Sequence, residues 1–198
     1  MPLPPYPIEV GKILSFREII PNLPDPPNRS FPNPAEFPSV TLTQDMVDFC
    51  YEMRRTVKVM WDECSLIDDL AGVAGEVAFP KWMFDDWRYN TVGRNKGKID
   101  CGNLELKASG TPMRDGLGAM CKIQYAKARQ PAWYLQTILD VPPKTDALVA
   151  GVRVYLAGYC THAEMVASVP GYWNTTYQVH RVPLSFCRPV TNLAPVWS

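Results

Sequence analysis

The residues of this chain that are best suited to chemistry lie at positions 98–107, KIDCGNLELK, where one acid precedes a short apolar run that carries a second acid and a lysine. If residues 103–108 form a strand, successive side chains alternate between its two faces, so Glu105 and Lys107 share one face. The leucines on either side of Glu105 then point into a core. Mg²⁺ prefers carboxylate oxygens, and a lysine beside it can hold a hydroxide for attack on phosphate. The pattern indicates metal-assisted hydrolysis of a phosphodiester.

A tight turn predicted at Gly102 and Asn103 brings another acid to this strand. Such a turn folds Ile99 and Asp100 back against the strand as a hairpin, which places Asp100 near Glu105. Two carboxylates close together are what a shared cation requires.

Glu76 is a further candidate, in the segment GVAGEVA at residues 72–78, which reads as a helix of small and apolar residues. Burying an acid there is costly unless it meets a cation or hydrogen-bond donors, so Glu76 is expected to point toward the metal. An exposed helix acid beside a close helix–sheet contact, made by the glycines, explains the segment equally well.

The charge of the chain is balanced overall but uneven along its length. Lysine and arginine total 20, as do aspartate and glutamate, so the net charge alone favours no nucleic-acid partner. Between residues 94 and 129, however, basic residues outnumber acidic ones, and a basic zone around an acidic pair suits a phosphate backbone. A solvated charged surface remains the alternative.

Two helices are predicted ahead of the strand. Thr41 or Thr43 can cap a helix that begins near Gln44, with apolar residues at helical intervals as far as Met60. A second helix is predicted over residues 64–79, and Pro80 either ends it or bends it into one or two further turns.

Strands are predicted near Ile99 and over residues 103–108, 120–125, 132–139 and 147–159, separated by glycine and proline. Thr161 is then placed to cap a short helix. Helices followed by strands indicate an α/β or α+β domain with a central sheet.

The first 40 residues form a separate segment, because 11 of the chain's 20 prolines fall there. Such a segment is neither a regular helix nor an interior strand, so residues 1–40 are predicted to be an extended arm and 41–198 the folded domain. The arm wraps the domain or a partner subunit in this interpretation, and a polyproline ligand is the alternative.

The cysteines and the apolar stretches indicate where the protein is located and whether it holds structural zinc. The six cysteines include no C-x-x-C pair, so a structural zinc site is not expected. No apolar stretch is long enough to span a bilayer, and the interpretation is a cytoplasmic protein with its cysteines as small buried apolar residues. Cys160 and His162 are close in sequence, but without a third group to orient the histidine they are expected to be a packed pair rather than a nucleophile and its base.

At this point residues 47–189 resemble the PD-(D/E)xK nuclease superfamily, and most of all its small phage-encoded members. In that family a helix with G-x-x-G-E-x-A precedes an aspartate, a short turn and a strand reading E-x-K. The matching residues here are Gly72, Gly75, Glu76, Ala78, Asp100, Gly102, Asn103, Glu105 and Lys107. Residues 154–159, 161–165 and 182–185 match its late strand, short helix and closing segment.

The resemblance implies an α/β fold with a restriction-endonuclease-like core, in which helices, one of them a crossover helix, flank a central mixed β-sheet. It also implies a Mg²⁺- or Mn²⁺-dependent endodeoxyribonuclease. The metal is held by Asp100, Glu105 and the Leu106 carbonyl, with Glu76 assisting, and Lys107 positions the water. The family usually has a wider gap between its two acids, which leaves Asp85 or Asp86 as alternatives to Asp100.

Partners follow from the same resemblance. DNA is the expected substrate, and the candidates for contacts to its backbone are Arg94, Lys96, Lys98, Lys122 and Lys127. A homodimer in the cytoplasm of a bacterial host, encoded by a phage or another mobile element, is expected. The alternative is a catalytically inactive nuclease-fold protein that serves as a structural or interaction component of a phage or nucleoprotein assembly.

Overall fold

The computed structural model describes residues 34–56, 65–89, 99–113, 120–124, 131–168, 171–173 and 177–193. Within these ranges the protein has an α/β fold, as predicted, built on a mixed sheet of four strands. Their order is β1-β5-β4-β2, with bounds β1 Ser39–Thr41, β2 Leu104–Thr111, β4 Trp133–Asp140 and β5 Arg153–Thr161. Strand β2 is parallel to β4, whereas the β4–β5 and β5–β1 pairs are antiparallel.

A smaller sheet and a short helix complete the structure on the other side. Its strand order is β3-β7-β6, and the elements are β3 Met120–Gln124, α3 His162–Ala167, β6 Gly171–Trp173 and β7 Tyr177–Pro183. One face of the main sheet packs against this side, where Tyr134 and Ile138 of β4 share a buried cluster with Met165 and Val182. The predicted cap of α3 is confirmed, because Thr161 and Glu164 form a reciprocal capping box.

The opposite face of the main sheet is covered by two helices, α1 Gln44–Thr56 and α2 Leu66–Phe84. Ser65 caps the amino-terminal end of α2, and its side chain accepts a hydrogen bond from the backbone N–H of Asp68. It continues through Pro80 and ends at Asp85, which adopts a left-handed conformation with φ 55°. Of the two alternatives left open at Pro80, the structure has the one in which the helix continues.

Small side chains let α2 lie close to the sheet. The Cα of Gly75 approaches β4 so closely that an added Cβ would lie 2.6 Å from the Thr137 hydroxyl oxygen, and at Gly110 of β2 it would lie 3.3 Å from Ile67. Buried Phe79 of α2 then packs with Leu104 and Leu106. Helix α2 thus holds the apolar face of β2 and fixes which side chains of that strand point the other way.

The strand predictions hold in part. Strands β2, β3 and β4 lie within one to three residues of the predicted ranges, but β5 begins only at Arg153, so the prediction of a strand over 147–152 is wrong. At the amino-terminal end, residues 34–36 form a single 3-10 turn and β1 spans the expected arm boundary at residue 40. Most of the predicted arm, residues 1–33, lies outside the described part of the chain.

None of the helices in the described part of the chain is long and apolar enough to cross a membrane.

Within the described residues, Cys50, Cys101, Cys160 and Cys187 are buried and form no disulfide bond, as expected of cysteines that act as small apolar residues. The connection from β2 to β4 passes through β3, and its residues 114–119 and 125–130 are outside the described ranges.

Candidate functional site

Strand β2 carries a buried ion pair on the face that points away from α2. Leu104 and Leu106 pack in the core with Phe79, so alternation turns Glu105 and Lys107 to the opposite face. The Lys107 ammonium donates a hydrogen bond to Oε1 of Glu105 at 2.7 Å. The Glu105 side chain is 3% exposed and that of Lys107 is 20% exposed, so the pair is open to solvent on the lysine side.

Asp100 joins this strand through the predicted turn. Cys101 and Leu104 exchange two backbone hydrogen bonds, of 3.0 and 2.8 Å, across Gly102 and Asn103. Gly102 has φ 55°, which glycine adopts at little cost at the first position of such a turn. The chain therefore folds back, and Oδ2 of Asp100 accepts a hydrogen bond of 2.8 Å from the backbone N–H of Leu106.

The backbone of Leu106 turns its polar groups toward Asp100. Strand β2 is at the edge of the main sheet, with β4 on its inner side. Leu104, two residues earlier, directs both its N–H and its C=O to the outer side, where Cys101 bonds to them. The same alternation directs the C=O of Leu106 to the outer side, beside the Asp100 carboxylate. A carboxylate and a carbonyl oxygen thus lie at one point of the strand edge.

Glu76, on α2, lies near enough to Cys101 for its charge to act on that thiol. Burial raises the pKa of the Cys101 thiol to about 11, and the negative charges of Asp100 and Glu76 add to that effect. Burial likewise raises the pKa of Cys50 to about 12, again with a contribution from Glu76. The structure therefore brings Glu76 and Asp100 around one buried thiol, although α2 covers the face of the sheet opposite to the Glu105–Lys107 pair.

The donor atoms at this edge fit a hard divalent cation in their chemistry. Carboxylates of Asp100 and Glu105 and the Leu106 carbonyl are the oxygen types that Mg²⁺ and Mn²⁺ take. Within the described ranges, no three or more Asp, Glu, His or Cys side chains are gathered closely enough to hold a metal ion. Glu105 accepts a hydrogen bond from Lys107 through Oε1, so a bound cation would compete with the lysine for this carboxylate.

Two residues of β4 that sequence reasoning did not assign to the site stand beside it. In the parallel register, Tyr134 is the Cα partner of Glu105 and Gln136 is the partner of Lys107, so all four side chains share one face. Gln136 is 1% exposed, and its amide donates to the hydroxyl of Ser109 and to the carbonyl of Thr137, at 3.1 and 2.9 Å. No sequence signal identifies these residues, because the pairing of distant strands is not a local property.

His162 also lies on this side, at the start of α3. Its Nδ1 is 3.0 Å from the hydroxyl of Tyr134, and the two rings stack with centroids 5.9 Å apart. Cys160, on β5, is fully buried. The histidine is therefore oriented by a tyrosine, a third group that the sequence did not reveal.

The alternatives to Asp100 lie at the carboxyl-terminal end of α2 and just beyond it. Asp85 lies at the end of α2, where its exposed carboxylate accepts a hydrogen bond from Lys81, and Asp86 accepts one from the backbone of Arg88. Lys122 is described by its backbone alone, in β3 opposite Arg181. The other expected contacts lie outside the described residues: Arg94, Lys96, Lys98 and Lys127.

Comparison of the chain with models of protein families, with curated proteins and with solved structures gives no match.

Proposed function

We propose that the protein is a Mg²⁺- or Mn²⁺-dependent endodeoxyribonuclease with a restriction-endonuclease-like core. The observation that supports this most strongly is the edge of β2. There a buried Glu105–Lys107 pair points to one face, and Asp100 bonds to the peptide N–H between those two residues, with distances of 2.7 and 2.8 Å. Two acids that can bind a metal and a lysine beside them are suited to metal-assisted phosphodiester hydrolysis.

The proposed metal ligands are Asp100, Glu105 and the Leu106 carbonyl, with Glu76 assisting from α2. A bound cation would polarise a phosphoryl oxygen and lower the pKa of a bound water. Asp100 is already oriented by the hydrogen bond that it accepts from Leu106. Burial of Glu105 keeps water away from its carboxylate, which strengthens its attraction for a cation.

Lys107 is proposed to position the attacking water. Its ammonium is held by Glu105, so it lies at the acid rather than in bulk solvent. With a fifth of its side chain exposed, it can also reach a substrate that approaches this face of the sheet. Once Glu105 turns to a cation, the lysine loses its partner, and its donors are then available to the water or to the phosphate.

The wider setting belongs to the same proposal. DNA would approach the exposed side of Lys107, and the basic residues between positions 94 and 129 would contact its backbone without regard to sequence. A homodimer, a bacterial cytoplasm and a phage or mobile-element origin are proposed with it.

The test is a cleavage assay on linear duplex, nicked, flapped and single-stranded DNA, with Mg²⁺, with Mn²⁺ and with EDTA. We expect metal-dependent cleavage of at least one form, abolished by Glu105→Ala and by Lys107→Ala. Because Glu105 is buried, Glu105→Gln serves as a second variant that keeps its shape. Lys144→Gln, on a loop beyond the far end of β4, is the control for loss of a lysine. Unchanged cleavage by both alanine variants would refute the proposed site.

A second function is favoured by one observation, the closed state of Glu105. Its carboxylate is 3% exposed and bonded to Lys107, as in an ion pair that serves only the fold. The protein would then be an inactive nuclease-fold component of a phage or nucleoprotein assembly. Absence of metal-dependent cleavage on every DNA form, together with no Mn²⁺ binding by calorimetry, would support this function over the first.

A further inference from the structure

Polar side chains continue from the Glu105–Lys107 pair across β4 to the start of α3. Tyr134 is the register partner of Glu105, so its ring leaves the sheet on the same face. The ring is 1% exposed, and its hydroxyl reaches Nδ1 of His162. His162 itself is half-buried. The face that carries the proposed site therefore ends in a histidine that solvent can reach.

Both the backbone and the imidazole ring of His162 are held in place. Its backbone N–H donates to the carbonyl of Ala132 at 3.0 Å, which ties the start of α3 to the beginning of β4. Its ring stacks on Tyr134 with an angle of 23° between the two planes. An imidazole held in this way has lost most of its rotational freedom before any ligand binds, which lowers the entropic cost of a contact.

The second ring nitrogen of His162 is available for a ligand. Among the residues that the structure describes, none forms a hydrogen bond with Nε2 and no carboxylate forms an ion pair with this histidine. If the phenol donates to Nδ1, the proton of the neutral ring is on Nε2, which then acts as a donor. A donor with no acidic partner, on a face that also carries Lys107, is suited to an anion.

From this arrangement we infer that His162 is a phosphate-binding residue. Nε2–H donates to an oxygen of a DNA phosphate next to the one that is cleaved, and the hydroxyl of Tyr134 holds the ring in the required orientation. The inference rests on the proposed function for the identity of the anion as DNA. It adds a substrate contact on the opposite side of β4 from the metal ligands.

The experiment compares substitutions that keep or remove one ring nitrogen. His162→Asn retains a polar group near the position of Nδ1 and loses Nε2, whereas His162→Gln can place its amide N–H near Nε2. Binding of a fluorescein-labelled duplex is measured by anisotropy at fixed salt in Ca²⁺. We expect His162→Asn to weaken binding about tenfold, the lower end for loss of a hydrogen bond to a charged group. We expect His162→Gln to stay within about threefold, Tyr134→Phe to lie between them, and Lys144→Gln to match the wild type.

Cleavage kinetics and thermal unfolding separate a substrate contact from a structural role. A phosphate contact raises KM in His162→Asn, while kcat and the unfolding midpoint stay close to the wild type. Equal affinity of His162→Asn and the wild type, or equal losses in both histidine variants with a lowered unfolding midpoint, would overturn the inference.

The inference and the proposed function fail separately. Wild-type protein that binds the duplex and cuts none of the DNA forms, with binding still weakened in His162→Asn, refutes the nuclease and leaves the phosphate contact standing. Cleavage by the wild type with unchanged affinity in His162→Asn refutes the phosphate contact and leaves the nuclease standing. Wild-type protein that binds no duplex at all overturns both.

Discussion

Replacing Gly75 by alanine tests how α2 positions the strand that carries the site. An added Cβ would lie 2.6 Å from the hydroxyl oxygen of Thr137 and 3.5 Å from its Cβ. Thr137 is fully buried in β4, and its hydroxyl donates a hydrogen bond of 3.3 Å to the carbonyl of Lys107. The contact thus connects the helix that carries Glu76 with the strand that carries Lys107.

The expected loss follows from three opposing effects. Alanine in a helix interior is more favourable than glycine by about 1 kcal/mol. Against this, relief of the overlap requires Thr137 to rotate, which breaks a hydrogen bond of about 1 kcal/mol, or the helix to shift, at about 1–3 kcal/mol for an overpacked core. The net change is a loss of up to about 2 kcal/mol in the free energy of unfolding.

Gly72 provides the matched control, because it lies one helical turn earlier and an added Cβ there would meet no atom within 4 Å. Gly72→Ala should stabilise the protein by up to about 1 kcal/mol, the propensity effect alone. In urea unfolding monitored by circular dichroism, Gly75→Ala should lower the midpoint and Gly72→Ala should raise it. Thr137→Ala combined with Gly75→Ala should recover much of the loss, because the clashing hydroxyl is gone. Stabilisation of both glycine variants to the same extent would refute the close approach.

Three further predictions concern charge and the turn. Lys107→Met removes the cation that is hydrogen-bonded to the buried Glu105 carboxylate and should cost about 2–4 kcal/mol in urea unfolding. Glu105→Gln combined with Lys107→Met should restore most of that stability. No restoration would contradict the pairing of the two residues. Burial alone would raise the pKa of Glu164, but the hydrogen bonds from Arg188 and Thr161 and the positive charge of Arg188 together outweigh burial, so the pKa is lowered from 4.5. The pair therefore stabilises the protein above that pH and is lost as the pH falls through the lower folded-state value, so Glu164→Gln should flatten the acid side of the stability profile; an unchanged profile would refute this. Gly102→Ala should cost about 1 kcal/mol because its φ is positive, and Gly102→Asn should cost less in the same assay; equal costs would argue against the left-handed turn.

Local patterns in the sequence predicted the parts of the site that depend on neighbouring residues. The alternation of β2 correctly puts Glu105 and Lys107 on one face and the leucines in the core. The turn at Gly102 forms as expected and brings Asp100 to the strand. These features follow from side-chain period and from turn chemistry, both of which are set within a few residues.

The parts that depend on distant residues were not predictable in the same way. Tyr134 and Gln136 stand beside the pair only because β4 adds parallel to β2 in one register, and that register is selected by packing across the whole sheet. The continuation of α2 through Pro80 was also not predictable from neighbouring residues alone. Its proline supplies no N–H to the carbonyl of Glu76, at a cost of about 3 kcal/mol, and tertiary burial of this turn against the core offsets that loss.

Metal binding at the edge of β2 tests the central claim most directly. Crystals of the protein soaked in Mn²⁺ would be measured by anomalous diffraction, with Glu105→Gln as the matched variant. The proposed function predicts an anomalous peak bounded by Asp100, Glu105 and the Leu106 carbonyl, with the Lys107 ammonium released from Glu105 and the peak weakened in the variant. A fully soaked crystal with no peak at this edge, and with the ion pair between Glu105 and Lys107 unbroken, would contradict it.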